Sequence, residues 1–239
     1  MTIREIVVDM DVKENLHQIQ ERIQAAAKRA DRDPKEVKLM AVTKGVEPMR
    51  LREALAAGIA VLGENRVQEA LPKVHSLGKE VKWHFVGHLQ TNKVKQVIGV
   101  FELIHSVDSL RLAQEISRWA ERFGICQPIL VQVNLSGEEN KSGLAPREVK
   151  SVIQEMAVLP GIAIQGLMTI PPLSSDPEAS RGYFRCLRDL AFEVSQREFS
   201  SVAMGELSMG MSGDFEVAVE EGATWIRIGT AIFGPRRER

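Results

Sequence analysis

Only two cysteines occur in the 239 residues, Cys126 and Cys186, far apart and outside any Cys-x-x-Cys pattern. Their scarcity excludes a disulfide framework or a cysteine zinc site and predicts free thiols in a reducing cytoplasm. No stretch approaches the ~18 apolar residues of a membrane span. The opening Met1-Thr2-Ile3-Arg4-Glu5 carries charge where a signal peptide would be apolar, so no export is expected. Net formal charge is only -1, which leaves no global basic field for nucleic acid. The Arg236-Arg237 pair reads as a solvated tail. Proline and glycine form no linker. The densest turn cluster, Ile170-Pro-Pro-Leu-Ser-Ser-Asp-Pro177, is too short to mark a domain boundary, and no solenoid repeat recurs. One domain over residues 1–239 is therefore expected. A hydrophobic fraction of 44% is ordinary for a chain with a sizeable core.

Against those absences stands a regular alternation. A first helix is predicted from Val12 to Ala30, because Leu16, Ile19, Ile23 and Ala27 recur on one face. Strands are predicted at Lys38–Thr43, Ile59–Gly63, Lys82–Gly87, Leu103–Ser106, Ile129–Asn134, Ile164–Thr169, Ser201–Ser208 and Trp225–Ile228. Several are apolar on both faces, as parallel strands covered by helices must be. Between them, Leu112, Ile116, Trp119 and Phe123 form a stripe that stops at Gly124. Ala145-Pro146 opens a helix burying Val149, Ile153 and Met156. Asp176-Pro177 caps another that buries Phe184, Leu187 and Ala191. Eight strand–helix units plus an extra N-terminal helix specify an α/β fold, a single (β/α)8 TIM barrel of ordinary length. A doubly wound open sheet is the alternative, weakened because no Gly-x-Gly-x-x-Gly follows the first strand.

A barrel carries its site at the C-terminal ends of its strands. Lys44 ends the run Lys38-Leu-Met-Ala-Val-Thr-Lys44. An amine there can be desolvated into a nucleophile able to form a Schiff base, or it can simply snorkel out of the strand end. Closure sets it beside the turn after strand eight, Arg227-Ile228-Gly229-Thr230. The loop after strand seven carries Ser208-Met-Gly-Met-Ser212-Gly213-Asp214. Ser212 reads as the cap of the next helix, with Phe215, Ala218 and Val219 inward and Gly222 at its end. Glycine–serine and glycine–threonine turns after strands seven and eight suit a phosphate, though such residues are also ordinary turn formers. A phosphate cup beside an imine-forming lysine suggests pyridoxal 5′-phosphate, with Arg227, on the same strand face as Gly229, bonding the pyridine nitrogen. Alternatively, Arg227 pairs with Glu206. Asn65 after strand two can reach the ring's phenolic oxygen or cap a helix, and Met168 at the end of strand six can pack on the ring or in the core. His84 and His88 share a strand face and can supply polar contacts beneath the site, and Lys93 and Lys95 are expected on a solvent-facing helix.

Ala41-Val-Thr-Lys44, Gly63-Glu-Asn65, Trp83-His-Phe-Val-Gly87-His-Leu-Gln90-Thr-Asn92-Lys93, Gly166-Leu-Met168, Leu207-Ser-Met-Gly-Met-Ser212 and Arg227-Ile-Gly-Thr230-Ala-Ile-Phe-Gly234 resemble the pyridoxal phosphate homeostasis protein family. The resemblance spans nearly the whole chain. It implies a barrel like the N-terminal domain of alanine racemase and covalent pyridoxal phosphate on Lys44. It also implies Ser212, Gly229 and Thr230 as phosphate ligands and Arg227 as partner of the pyridine nitrogen. The implied role is buffering vitamin B6 and supplying cofactor to apo-enzymes without an established reaction of its own. The expected partners exclude nucleic acid and membranes, and the chain is expected as a monomer or weak homodimer. The racemase alternative is disfavoured because the sole tyrosine, Tyr183, falls on a helix after strand six and the chain ends soon after Gly234. A phosphosugar aldolase without the cofactor is the other alternative. Lys141, in the loop 136–143, is expected to be an ordinary loop lysine.

Overall fold

The computed structural model describes residues 11–78, 81–138, 140–197, 199 and 201–235. The opening Met1–Glu5 segment and the Arg236-Arg237 pair lie outside them. Eight parallel strands close into a barrel in sequence order. They are β1 (Lys38–Val42), β2 (Val61–Glu64), β3 (Lys82–Phe85), β4 (Leu103–Val107), β5 (Gln127–Gln132), β6 (Ile162–Met168), β7 (Val202–Ser208) and β8 (Trp225–Ile228). All eight predicted strands are present, with most ends moved by one or two residues. Closure is made by β1 against β8, in the register Lys38↔Trp225 to Ala41↔Ile228.

The helices of the described residues are α1 (Val12–Arg29), α2 (Pro48–Ala56), α3 (Val67–Leu77), α4 (Val94–Val97), α5 (Leu110–Phe123), α6 (Pro146–Met156), α7 (Arg181–Ser195), α8 (Phe215–Glu220) and α9 (Thr230–Phe233). The extra helix α1 starts at Asp11, whose carboxylate accepts from the Lys13 amide, and buries Leu16, Ile19, Ile23 and Ala27 as the spacing predicts. It lies along α8 and α9: Asn15 Nδ2 donates to the Ile232 carbonyl, and Arg22 and Arg29 pair with Glu216 and Glu220. Helices α6 and α7 bury the predicted residues. Helix α5 differs. Gly124 ends it in the left-handed region, but Phe123 is exposed, because Leu112, Ala113, Ile116, Ser117 and Ala120 make the buried face. No helix of the described residues is long and apolar enough to cross a membrane.

Strand alternation divides the side chains into two sets. The outward set, including Ala41, Leu62, Phe85, Ile104, Val131, Leu167 and Ile226, packs under the helices as the main core. The inward set makes two small apolar clusters. Met40, Val61, Val86 and Trp225 form one, and Leu103, Leu130 and Met168 the other. Polar side chains from β3, β4, β7 and β8 pass between them: His84, His105, Ser208 and Arg227, all buried.

Candidate functional site

Lys44 follows β1 at the C-terminal mouth of the barrel and is half-buried. Among the described residues its amine has neither a hydrogen bond nor an ion pair. The peptide that carries it is held from behind. Lys73, on α3, donates to the Thr43 carbonyl at 2.6 Å and pairs with Glu64 at 2.5 Å. Thr43 Oγ1 also reaches Glu64 at 2.5 Å. The Val46 amide closes the turn onto the Thr43 carbonyl at 3.0 Å. This Thr43–Glu64–Lys73 cluster is buried, and neither its ion pair nor its link to Lys44 is visible in the sequence pattern.

Gly229 stands beside β1: a Cβ there would lie 3.3 Å from the Val42 carbonyl oxygen. The loop after β7 meets this turn through Ser212, whose Oγ accepts from the Ala231 amide at 3.3 Å. Ser212 is therefore not the cap of α8, contrary to the sequence expectation. Asp214 occupies that place, and its carboxylate closes the 211–214 turn by accepting from the Met211 amide at 2.7 Å. The correction leaves Ser212 bridging the two turns expected to hold phosphate. Among the described residues the amides of Ser212, Gly213, Gly229 and Thr230 donate to no protein acceptor. Gly210 makes this loop path possible: its φ is +89°, and a Cβ would fall 2.5 Å from the Ala218 Cβ.

Arg227 lies inside the barrel beneath these turns, 5% exposed. Its Nη1 donates to Ser208 Oγ at 2.8 Å and its Nη2 to the Thr169 carbonyl at 2.9 Å. It does not pair with Glu206, which is taken by Lys38 and Thr224. Burial lowers the Arg227 pKa to about 10, against the smaller opposing pull of Asp214, so the guanidinium stays charged at neutral pH. Thus the site holds a buried cation with no carboxylate paired to it among the described residues.

Asn65 follows β2 at the mouth, and its Oδ1 is buried without a partner. Gly87 permits this placement, since a Cβ there would lie 2.1 Å from the Asn65 carbonyl oxygen. Met168 has no exposed surface and packs with Leu103 and Leu130, so it stands in the barrel floor, not on the wall of the mouth. His84 is also beneath the mouth, 3% exposed, in a T-shaped contact with the Trp225 ring. Burial first, then Lys82 and Lys38, lower its pKa to about 3. His88 diverges from it: exposed, it meets Asp108 at 3.1 Å. Of the two lysines expected in solvent, Lys95 is exposed over the Trp119 ring, whereas Lys93 is half-buried.

His105 carries no motif in the sequence, yet it is fully buried in the barrel centre. Its only signal there is a polar residue at an inward position of an apolar strand. A cavity of about 310 Å³ opens at the mouth among Asn65, Gly87, His88, Lys141 and Ser142. Lys141 is a loop lysine that lines this cavity, paired with Glu138 at 2.7 Å. A larger cavity of about 510 Å³ lies at the opposite barrel end, near Ile23, Lys38 and Trp225, and none of the eight expected cofactor residues lines it.

The family model for the alanine racemase N-terminal domain matches residues 15–237. The pyridoxal phosphate homeostasis protein of Aquifex aeolicus is 48% identical over 229 residues, covering 95% of this chain and all of the relative. The structure of PipY from Synechococcus elongatus with pyridoxal phosphate bound superposes with a TM-score of 0.82 at 37% identity, over 93% of this chain and 100% of that one. An alanine racemase from Clostridium difficile matches at a TM-score of 0.72 and 16% identity; the match takes in 95% of this chain but 57% of the racemase, and shows the fold alone.

Proposed function

Because the chain belongs to the pyridoxal phosphate homeostasis protein family, we propose that it binds pyridoxal 5′-phosphate as a Schiff base on Lys44 and supplies it to apo-enzymes. The carrying observation is the company at one barrel mouth: among the described residues, an unpaired lysine amine, four free turn amides and a buried guanidinium without a counter-ion. Those donors fit a phosphorylated pyridine aldehyde group by group. The amides of Ser212, Gly213, Gly229 and Thr230, with the Ser212 and Thr230 hydroxyls, suit the phosphate. Arg227 suits the pyridine nitrogen, and the orphaned Asn65 Oδ1 or its amide nitrogen suits the ring's polar edge. His84 and Met168 support from below. When bound, the cofactor supplies an aldehyde that traps an amine reversibly, and the protein's role is to position it.

An arginine facing the pyridine nitrogen leaves that nitrogen unprotonated, which weakens the ring as an electron sink. Tyr183 lies on α7, in the outer ring of helices, and so does not serve as an acid–base group opposite Lys44. We therefore assign carrying and buffering, not turnover, in keeping with the name of the Aquifex relative. We read residues 1–239 as one domain, acting as a monomer or weak homodimer. Two exposed cysteines agree with a reducing cytoplasm.

Titration of the purified chain with pyridoxal phosphate tests this. A visible absorbance band saturating at one equivalent, absent from Lys44→Ala and lost on adding an apo-enzyme, is expected. No band in the unaltered chain, or efficient racemisation of an amino acid, would overturn it.

A further inference from the structure

Four side chains cross the barrel as one hydrogen-bonded chain. Arg227 Nη1 meets Ser208 Oγ at 2.8 Å, Ser208 Oγ meets His105 Nδ1 at 2.8 Å, and His105 Nε2 meets His84 Nδ1 at 3.0 Å. Arginine only donates. Ser208 therefore accepts from Arg227, and its own proton is free to turn onto His105 Nδ1. Burial, then His84 and Arg227, hold His105 neutral, and a Ser208 proton on Nδ1 leaves the ring's single proton to Nε2. That proton goes to His84 Nδ1, and His84, also neutral, carries its own on Nε2. Every bond in the chain then points the same way, with its negative end towards Arg227.

Such an arrangement solvates a buried cation without neutralising it. A carboxylate would also stabilise the guanidinium but would neutralise its charge. The acid that favours the charged form, Asp214, is already taken, by the Met211 amide and by Ser180 Oγ at 2.9 Å. The dipole chain leaves the charge of Arg227 available to whatever acceptor a ligand presents at the mouth.

We propose that the Ser208–His105–His84 chain replaces a counter-ion, and that His105 and Ser208 are positioning residues which hold Arg227 against the acceptor atom of the bound ligand. This rests on the reading of the mouth as a pyridoxal phosphate site, where that atom is the pyridine nitrogen. His105 touches no ligand; it acts through Ser208 and Arg227.

Two nitrogen-15 NMR measurements test it. The first needs no cofactor. In the free protein, both His105 and His84 are expected as neutral rings protonated on Nε2 between pH 6 and 8. A proton on His105 Nδ1, or an imidazolium there, overturns the chain whatever the mouth binds. The second uses pyridoxal phosphate labelled at the pyridine nitrogen. In the unaltered protein that nitrogen is expected unprotonated and hydrogen-bonded. His105→Leu and Ser208→Ala should shift its signal and weaken binding about 10- to 100-fold, the loss of one bond to a charged group. His105→Asn, whose Oδ1 stands where Nδ1 stood, should restore both. An unmoved signal in His105→Leu and Ser208→Ala, or an Asn variant as impaired as Leu, overturns the proposal. Failure of the unaltered protein to bind the cofactor would instead count against the functional reading, and the tautomers would still decide the chain.

Discussion

Lys73→Met should loosen both the fold and the site, because it removes one half of a buried ion pair. The Glu64 carboxylate is fully buried and the Lys73 side chain is only 11% exposed. Glu64 Oε2 already lacks a partner, so after the substitution the carboxylate keeps a single donor, Thr43 Oγ1. Breaking a buried pair from one side costs ~3–5 kcal/mol. The remaining hydroxyl donor puts this case at the lower end, about 3 kcal/mol. For a chain of this size that is a fall in Tm of roughly 6–12 °C. Removing the stranded charge as well, in Lys73→Met/Glu64→Leu, should return stability to within about 1–2 kcal/mol of the parent, since apolar replacement of a buried pair is often neutral. Thr43 Oγ1 would still have the Gly63 carbonyl, 3.1 Å away. The assay is urea unfolding followed by circular dichroism, with the m-value compared across variants. The Thr43 carbonyl loses its Lys73 bond in both variants, so both should also bind pyridoxal phosphate more weakly than the parent. A loss below about 1 kcal/mol in Lys73→Met, or a double variant no better than the single, would refute this account of the pair.

Other outcomes follow from the same geometry. The folded pKa of His84, about 3, and that of His105, well below 6.5, lie beneath the unfolded value. The unfolded chain therefore binds more protons, and each histidine's contribution is complete above pH 6.5 and declines by up to ~1.4 kcal/mol per unit as pH falls below it, for His84 as far as about 3. Urea midpoints from pH 7.5 to 4.5 should show that slope, and His84→Gln should lessen it; an unchanged slope in that variant would contradict it. Gly210→Ala forces a Cβ onto Ala218 at a φ that disfavours side chains, so a loss of roughly 2 kcal/mol or more in thermal unfolding is expected, and a neutral result would contradict it. Arg227→Met should keep stability within about 2 kcal/mol, because no ion pair is broken, while pyridoxal phosphate affinity falls at least tenfold. Unchanged affinity by absorbance titration would count against the assigned role of Arg227.

What the sequence makes legible is periodic or local. The alternation of apolar runs and helical stripes specifies the barrel, and β8 falls where expected to the residue. Lys44, Gly229 and Thr230 can be placed at the mouth because strand ends are where the chain direction changes. What stays hidden depends on partners far along the chain. His105 is an isolated inward-facing polar residue of β4, and Ser208, which gives it a role, lies 103 positions later. The Glu64–Lys73 pair spans only nine positions, but one member leaves a strand and the other sits on a helix whose rotation the pattern does not fix. Ser212 reads as a cap because Ser212-Gly213-Asp214 offers two residues of capping type, and α8 starts only after Asp214, whose carboxylate turns back to the Met211 amide. Trp119 and Phe123 keep the helical spacing of α5 yet stand at the edge of its buried face, where small Ala113 and Ala120 pack instead.

The central claim, that Lys44 tethers the cofactor, is tested most directly by trapping the bond. Pyridoxal phosphate is added to the protein, borohydride reduces any Schiff base to a stable secondary amine, and peptide mass spectrometry locates it. The account predicts one phosphopyridoxyl group per chain, on Lys44. A label spread over surface lysines, or concentrated on Lys141 with Lys44 unmodified, would contradict it.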